Sequence, residues 1–349
     1  MVKRKTGNLH IFSRGRGARL SWVLPILSLL TFISSWLAVY PAGLVESWYA
    51  RRLFPRISRA AGLLADAVSI SWLDVLIPFG IVFLILGVRC RRWRVLLNGV
   101  AALYLIFFWT WGLNYHRQPL ASKLQLDSAR TKPEEMQLFA KQAAEQLNRL
   151  YREKENQTYD ETRTRDEASR RVRRVVGIID GTDWQSAHRV KISWIGNPWL
   201  RAAGVDGVFN PIVHEPIISN TLLDIERPFV IAHELAHVRG YTDEGDANVV
   251  ATLATLMSGD PAFKYSGWLN LWLYLRTGDL ERLLDPGPRN DIQRMFKRAR
   301  LEQIQWINNF QTGLLDIFLK ANSVDEGVRS YSRVVLLAAG TQGSWERFR

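Results

Sequence analysis

Three stretches of the chain show no amphipathic period. Residues 20–40, 68–88 and 95–115 are near-continuous apolar runs of 21 residues each, interrupted by a charge only at Asp74. At about 1.5 Å rise per residue, each predicts a helix long enough to cross a hydrocarbon core of about 30 Å. The first is too long for the apolar part of a signal peptide. Pro41-Ala42-Gly43 is the nearest approach to a cleavage site.

After residue 115 the pattern changes. Met136, Phe139, Ala143, Leu147, Leu150 and Tyr151 recur at helical spacing, which predicts an amphipathic helix over 133–155. Residues 156–166 are polar and predict a loop; 167–179 return to helix, with a basic face of Arg170, Arg171, Arg173 and Arg174 suited to water or anionic lipid. Val190, Ile192 and Trp194 alternate and predict a strand over 189–195. Val208-Phe209 and Pro216-Ile217-Ile218 flank turn residues, as in a hairpin. From Ile225 onward the pattern is helical, with long helices expected over 288–320 and 327–339 and a short apolar one, buried or at a membrane surface, over 265–275. The expected fold is mainly α with a small β-sheet: three N-terminal transmembrane helices followed by a helical domain. The domains are then a basic cytoplasmic N-terminus (1–19), a three-span region (20–115) and an extracytoplasmic domain (116–349).

Charge supports a membrane rather than a nucleic acid. The formal net charge is +13. Residues 1–94 hold 14 Lys/Arg against 3 Asp/Glu, whereas 95–349 hold 32 against 30. The excess therefore surrounds the apolar runs, and no folded binding face carries it, so nucleic acid is not an expected partner. Lys3, Arg4, Lys5, Arg14, Arg16 and Arg19 precede the first run, and Arg89, Arg91, Arg92 and Arg94 separate the last two. Both clusters should face the cytoplasm. Arg51, Arg52, Arg56 and Arg59 oppose that reading, tempered by Glu46 and Asp66. Trp36, Tyr40, Trp72, Trp109, Trp111 and Tyr115 sit at the proposed outer ends, as an aromatic belt would. The single Cys90 permits no internal disulfide.

The chemistry concentrates in Phe229-Val230-Ile231-Ala232-His233-Glu234-Leu235-Ala236-His237. Two histidines four apart share one helical face, so both imidazoles can meet one Zn2+. Glu234 follows the first and can take a proton from water at the ion, which makes it the expected catalytic base. Gly240 can end this helix in a left-handed turn, and Thr242 or Asp243 can cap the next. The third metal ligand is expected at Glu244, with Asp243 and Asp246 as alternatives. Asn248 stands one turn on, placed to hydrogen-bond a ligand. Tyr265, Tyr241, Arg239 and His214 are candidates to stabilise an oxyanion, and the segment 215–219 could offer a strand edge to a peptide. His116 and His188 have no metal-ligand neighbour at useful spacing.

These residues resemble a family of bacterial membrane proteins, an uncharacterised zinc-peptidase-like group with a domain of unknown function. The likeness covers most of residues 20–340. It rests on Trp111-Gly112-Leu113-Asn114-Tyr115, Phe209-Asn210-Pro211, Glu215-Pro216, His233 to Tyr241, Glu244 to Asn248, Phe263-Lys264-Tyr265-Ser266, Leu319-Lys320-Ala321-Asn322 and Ser330-Tyr331-Ser332. It implies a zincin-like helical domain after the three spans and a metallopeptidase-like site, with Glu244 at the acidic position shared with gluzincin metallopeptidases, whose pattern there is Glu-x-x-Ala-Asp/Asn. The chain departs at Asp246, where the family commonly has Glu, which weakens Asp246 as a ligand.

The expected function is a membrane-anchored zinc-dependent hydrolase, a metallopeptidase acting on a peptide or protein substrate outside the cytoplasm. A catalytically inactive metal-binding envelope scaffold is the alternative. The lipid bilayer is the expected second partner, and oligomeric state is left open. An intramembrane protease is disfavoured because only 11 residues separate Arg227 from Arg239. Three spans without a repeat argue against a transporter.

Overall fold

The computed structural model describes residues 22–154, 159–185, 188–276, 279–321 and 333–348. The basic N-terminus (1–19) and the motif residues Asn322 and Ser330–Ser332 lie outside them.

The N-terminal part contains α1 (Val23–Trp36), a π-helical turn region (Val45–Leu53) running directly into α2 (Phe54–Asp66), then α3 (Leu73–Arg89) and α4 (Trp93–Thr110). The remainder contains α5 (Pro133–Lys154), α6 (Glu161–Asp180), α7 (Asn197–Ala203), β1 (Gly207–Asn210), β2 (Glu215–Ile218) and α8 (Arg227–Val238). It continues with α9 (Glu244–Leu256), α10 (Pro261–Leu275), α11 (Pro286–Glu302), α12 (Gln305–Ala321) and α13 (Arg333–Thr341). The mainly helical expectation and the hairpin agree with this. Residues 189–195 do not form a strand: Lys191 alone bridges to Ile217, because Ser193 and the amides of Trp194 and Ile195 turn to bind the Asp74 carboxylate. The expected helix 288–320 is broken at Gln303, whose extended backbone ends α11 and lets α12 restart across α7.

The expectation of three transmembrane helices is overturned. Among the described residues, only α4 is long and apolar enough to cross a membrane; α1 is apolar but has 14 residues. The folded domain uses the ends of the apolar runs for other work. Ala38, at φ +49°, follows the end of α1. Ser71 and the Trp72 amide bind the buried Glu215 carboxylate at 2.6 and 2.9 Å, so α3 begins only at Leu73 and has 17 residues. Trp111 to His116 leave the helical path of α4 and enter the core as a 3-10 turn. Apolar composition cannot distinguish a residue facing lipid from one facing protein, which is why the runs read longer than the helices.

The core centres on α9, buried on nearly every side and packed against α6, α8, α10 and α13. α8 lies between α9 and β2. The core does not stop at residue 116: Val45, Tyr49, Phe54, Phe107 and Phe108 belong to the same cluster of buried side chains as α8 and α9. A buried charged group reinforces this join. Arg117 binds Glu46 at 3.0 Å and Asp180 at 2.8 Å, and Lys123 binds the same two carboxylates at 2.7 and 3.0 Å.

Candidate metal centre

α8 begins with Pro228 in its first turn and buries Phe229, Ile231, Ala232, Leu235, Ala236 and Val238. Burial of these residues fixes the helix rotation and turns His233, Glu234 and His237 toward a cavity of about 490 Å³. The chain leaves α8 through Gly240 at φ +82°, a left-handed position that glycine adopts without strain. A side chain there would also press on Phe54 and Asn114. Asp243 then caps α9, its carboxylate accepting the Asp246 amide at 2.9 Å. This tight reversal delivers Glu244, in the first turn of α9, to the two histidines.

The donor atoms converge. His233 Nε2 and His237 Nε2 are 3.1 Å apart. Glu244 Oε2 lies 3.2 Å from the first and 3.6 Å from the second. Donors about 2.0–2.1 Å from a tetrahedral zinc ion stand about 3.3 Å from each other. The three edges match that spacing, and the set of two imidazoles and one carboxylate leaves a fourth position open. His237 Nδ1 donates to the Tyr241 carbonyl at 2.6 Å, which directs Nε2 toward the centre as the nitrogen a metal would take. Among the described residues this is the one cluster of three or more His, Cys, Asp or Glu able to hold a metal.

Glu234 points into the same cavity from beneath β1. A Cβ on Gly207 would overlap its carboxylate, so glycine there leaves the room in which the Glu234 carboxylate sits. Its Oε2 is buried and has no hydrogen-bond partner among the described residues. Burial is the main cause that raises its pKa to about 7; Glu244 and Asp206 add to the rise, while His233 and His237 oppose it. Burial also pushes Glu244 upward, but the two histidines outweigh it and hold this carboxylate well below its usual range. In the metal-free chain burial lowers His237, and the charge of Glu244 more than reverses this, to about 9.

Of the alternative ligands, Asp243 is turned away to its cap and to Arg333 at 2.9 Å. Asp246 accepts the Leu120 amide at 3.2 Å. Neither belongs to the cluster. Asn248 lines the cavity beside Glu244. The sequence candidates for an oxyanion donor are elsewhere. The Tyr265 hydroxyl donates to Asp291 on α11 at 2.8 Å. Arg239 binds the Trp184 carbonyl and covers the Trp184 ring. His214 is 1% exposed and sits against Phe54 and Phe209. Tyr241 serves through its carbonyl, with Arg117 over its ring.

The tyrosines that do line the cavity are Tyr115 and Tyr274. Burial raises both, and the charge of Glu244 adds to it, bringing Tyr274 to about 12. Both therefore stay protonated donors. Neither stood out in the sequence, since Tyr115 reads as the end of an apolar run and Tyr274 as part of a Trp/Leu-rich helix. The strand edge also differs from expectation. β2 lies between Lys191 and β1, so β1 carries the open edge beside the cavity. The Ser219 amide donates to Asp206 at 2.8 Å, and in an antiparallel pair such bonding alternates. Gly207 and Phe209 thus direct their amide and carbonyl groups to the open side.

Residues 49–339 match the family described as Protein of unknown function (DUF3810), and the chain belongs to that family. No curated protein and no solved structure matches it.

Proposed function

We propose that this DUF3810 member is a membrane-anchored, zinc-dependent hydrolase, and specifically a metallopeptidase. The observation that carries the reading is the convergence of His233, His237 and Glu244 beside a buried, unpartnered Glu234 carboxylate, in a cleft with an open strand edge. A zinc ion held there would acidify a water molecule and polarise a scissile carbonyl.

The residues divide the remaining work. An extended peptide pairs with Gly207 and Phe209 on the free edge of β1, which aligns its backbone over α8. Glu234 accepts the proton of the attacking water. Once protonated, the same carboxyl can give that proton to the departing amine. Tyr115 and Tyr274 donate hydrogen bonds to the oxygen that gains negative charge. Asn248 offers a polar side chain on the wall beside Glu244.

The membrane anchor in this reading is α4. Arg89, Arg91, Arg92 and Arg94 gather at its start, away from the end at Thr110 that leads into the folded domain. The test is elemental analysis of the purified chain, followed by turnover of a peptide library. Stoichiometric zinc with turnover lost on chelation is expected; zinc without turnover would leave a metal-binding scaffold.

A further inference from the structure

The cleft has a second wall whose outer side differs from its inner one. α12 faces the cavity with Asn308, Gln311, Thr312 and Leu315. Trp306, Phe310, Leu314 and Ile317 are all exposed, from 47% to 68%. At about 100° per residue these two sets point in opposite directions from the helix axis. One is mostly polar and cleft-facing; the other is an apolar stripe left exposed by the described residues.

That stripe continues across neighbouring elements. α12 rests on α7, with Asn308 Nδ2 donating to the Ala203 carbonyl at 2.8 Å and the Ile304 amide to Ala202 at 2.9 Å. On α7 and the turn before it, Trp194, Ile195 and Trp199 are exposed, Trp194 at 76%. Asp74 binds this turn to the head of α3, where a Cβ on Gly196 would touch Leu73. α3 in turn exposes Val75, Phe79, Val82 and Leu86 along one side and packs on α4. An apolar surface therefore runs from the membrane helix to the outer face of the cleft wall. Soluble surfaces rarely expose so many large apolar side chains on adjoining elements, and Trp is the residue expected where chain meets headgroups.

The depth of the site agrees. Trp111 is the first residue after α4. Its indole Nε1 donates to the His237 carbonyl at 3.1 Å, and the two rings are 6.4 Å apart. The putting together of these contacts leaves no soluble spacer between the end of the membrane helix and the metal-ligating residues.

We propose that α12 seats its Trp306–Phe310–Ile317 face in the bilayer surface, and that the cleft consequently acts on the juxtamembrane stretch of a polypeptide anchored in the same membrane. This rests on the hydrolase reading above and names its substrate class. A chain emerging from the bilayer meets the cleft at its own depth, and confinement to the same surface raises its effective concentration. A free peptide has neither advantage.

Two measurements on the full chain in phosphatidylcholine vesicles test this. In a Cys90→Ser background, Phe310→Cys and, as control, Gln146→Cys on α5 carry an environment-sensitive fluorophore. Brominated lipid should quench the label at 310 and not at 146; an unquenched label at 310 overturns the seating of α12. Next, a library of fluorogenic peptides is supplied either free or fused to a single apolar helix in the vesicles. Anchored peptides should be cut at least tenfold faster at equal bulk concentration, and Trp306→Ser with Phe310→Ser should reduce that advantage. Equal rates overturn the substrate class while leaving the hydrolase intact. Quenching at 310 with no cleavage of either form defeats the hydrolase reading and with it the substrate class, but keeps the membrane-seated helix.

Discussion

The carboxylate of Glu234 on α8 occupies the space in which a side chain at Gly207 on β1 would begin. Helix and strand thus approach so closely that one residue's missing Cβ sets the position of the other's acid. Glycine at 207 is part of the site although it carries no functional group. Gly207→Ala should leave folding and zinc content unchanged, because a side-chain end can swing aside. It should displace Glu234 and reduce turnover by roughly tenfold to a hundredfold. Steady-state kinetics with zinc analysis on the same preparation check this, and full activity would show that Glu234 is not held by β1.

Glu234→Gln keeps size and burial and removes the base. Zinc should remain stoichiometric while turnover falls by about 10²–10⁴-fold. Undiminished turnover would refute the assigned role.

The metal set predicts a different pattern for Glu244→Gln and His233→Ala. Each should lose zinc affinity as well as turnover, since each removes one of three converging donors. Asp243→Asn and Asp246→Asn should keep zinc, because both carboxylates are committed elsewhere. Titration against a zinc chelator separates the two classes. Retention of tight binding by Glu244→Gln would point to another third ligand.

Arg117→Met should destabilise the fold by about 3–5 kcal/mol, because Glu46 and Asp180 would keep their burial and lose their main partner. Chemical denaturation measures it. A loss below about 1 kcal/mol would mean that Lys123 alone neutralises both acids.

Stability of the metal-free protein should fall in two stages on acidification. Burial lowers His188 to about 3 and His214 to about 4 from the ordinary 6.5. The unfolded chain therefore takes up protons first, and stability drops from about pH 6.5 downward. For Glu46, burial acts upward but Arg117 and Lys123 prevail and bring it to about 2. Its contribution is complete above about pH 4.5 and lost below. Asp246, raised to about 6 chiefly by burial and by Asp243, acts in the opposite sense and eases the decline between pH 6 and 4. Thermal melts of the wild type and His188→Gln isolate the first stage; equal slopes between pH 6.5 and 4.5 would sink the assignment to His188.

Local chemistry is readable wherever the determinants are close in sequence. His233 and His237 share a helical face by spacing alone, Gly240 marks the left-handed exit, and Asp243 caps the helix that brings in Glu244. The sequence therefore determined the helical class, the hairpin and the three residues that converge as a candidate metal cluster. Features that depend on distant partners were decided only by the tertiary structure. The apolar run at 68–88 did not become a full span, since Glu215 and the 193–195 turn claim the head of α3, and the helix in the run at 20–40 ends at Trp36. Tyr265 and Arg239 were turned to Asp291 and Trp184, while Tyr115 and Tyr274 reached the cleft. The free strand edge fell to β1 because Lys191, more than 20 residues upstream of β2, pairs with the other side of it. The physical reason is the same in each case. A side chain's type constrains what it can bind, whereas the partner it binds depends on which segments the folded core brings beside it.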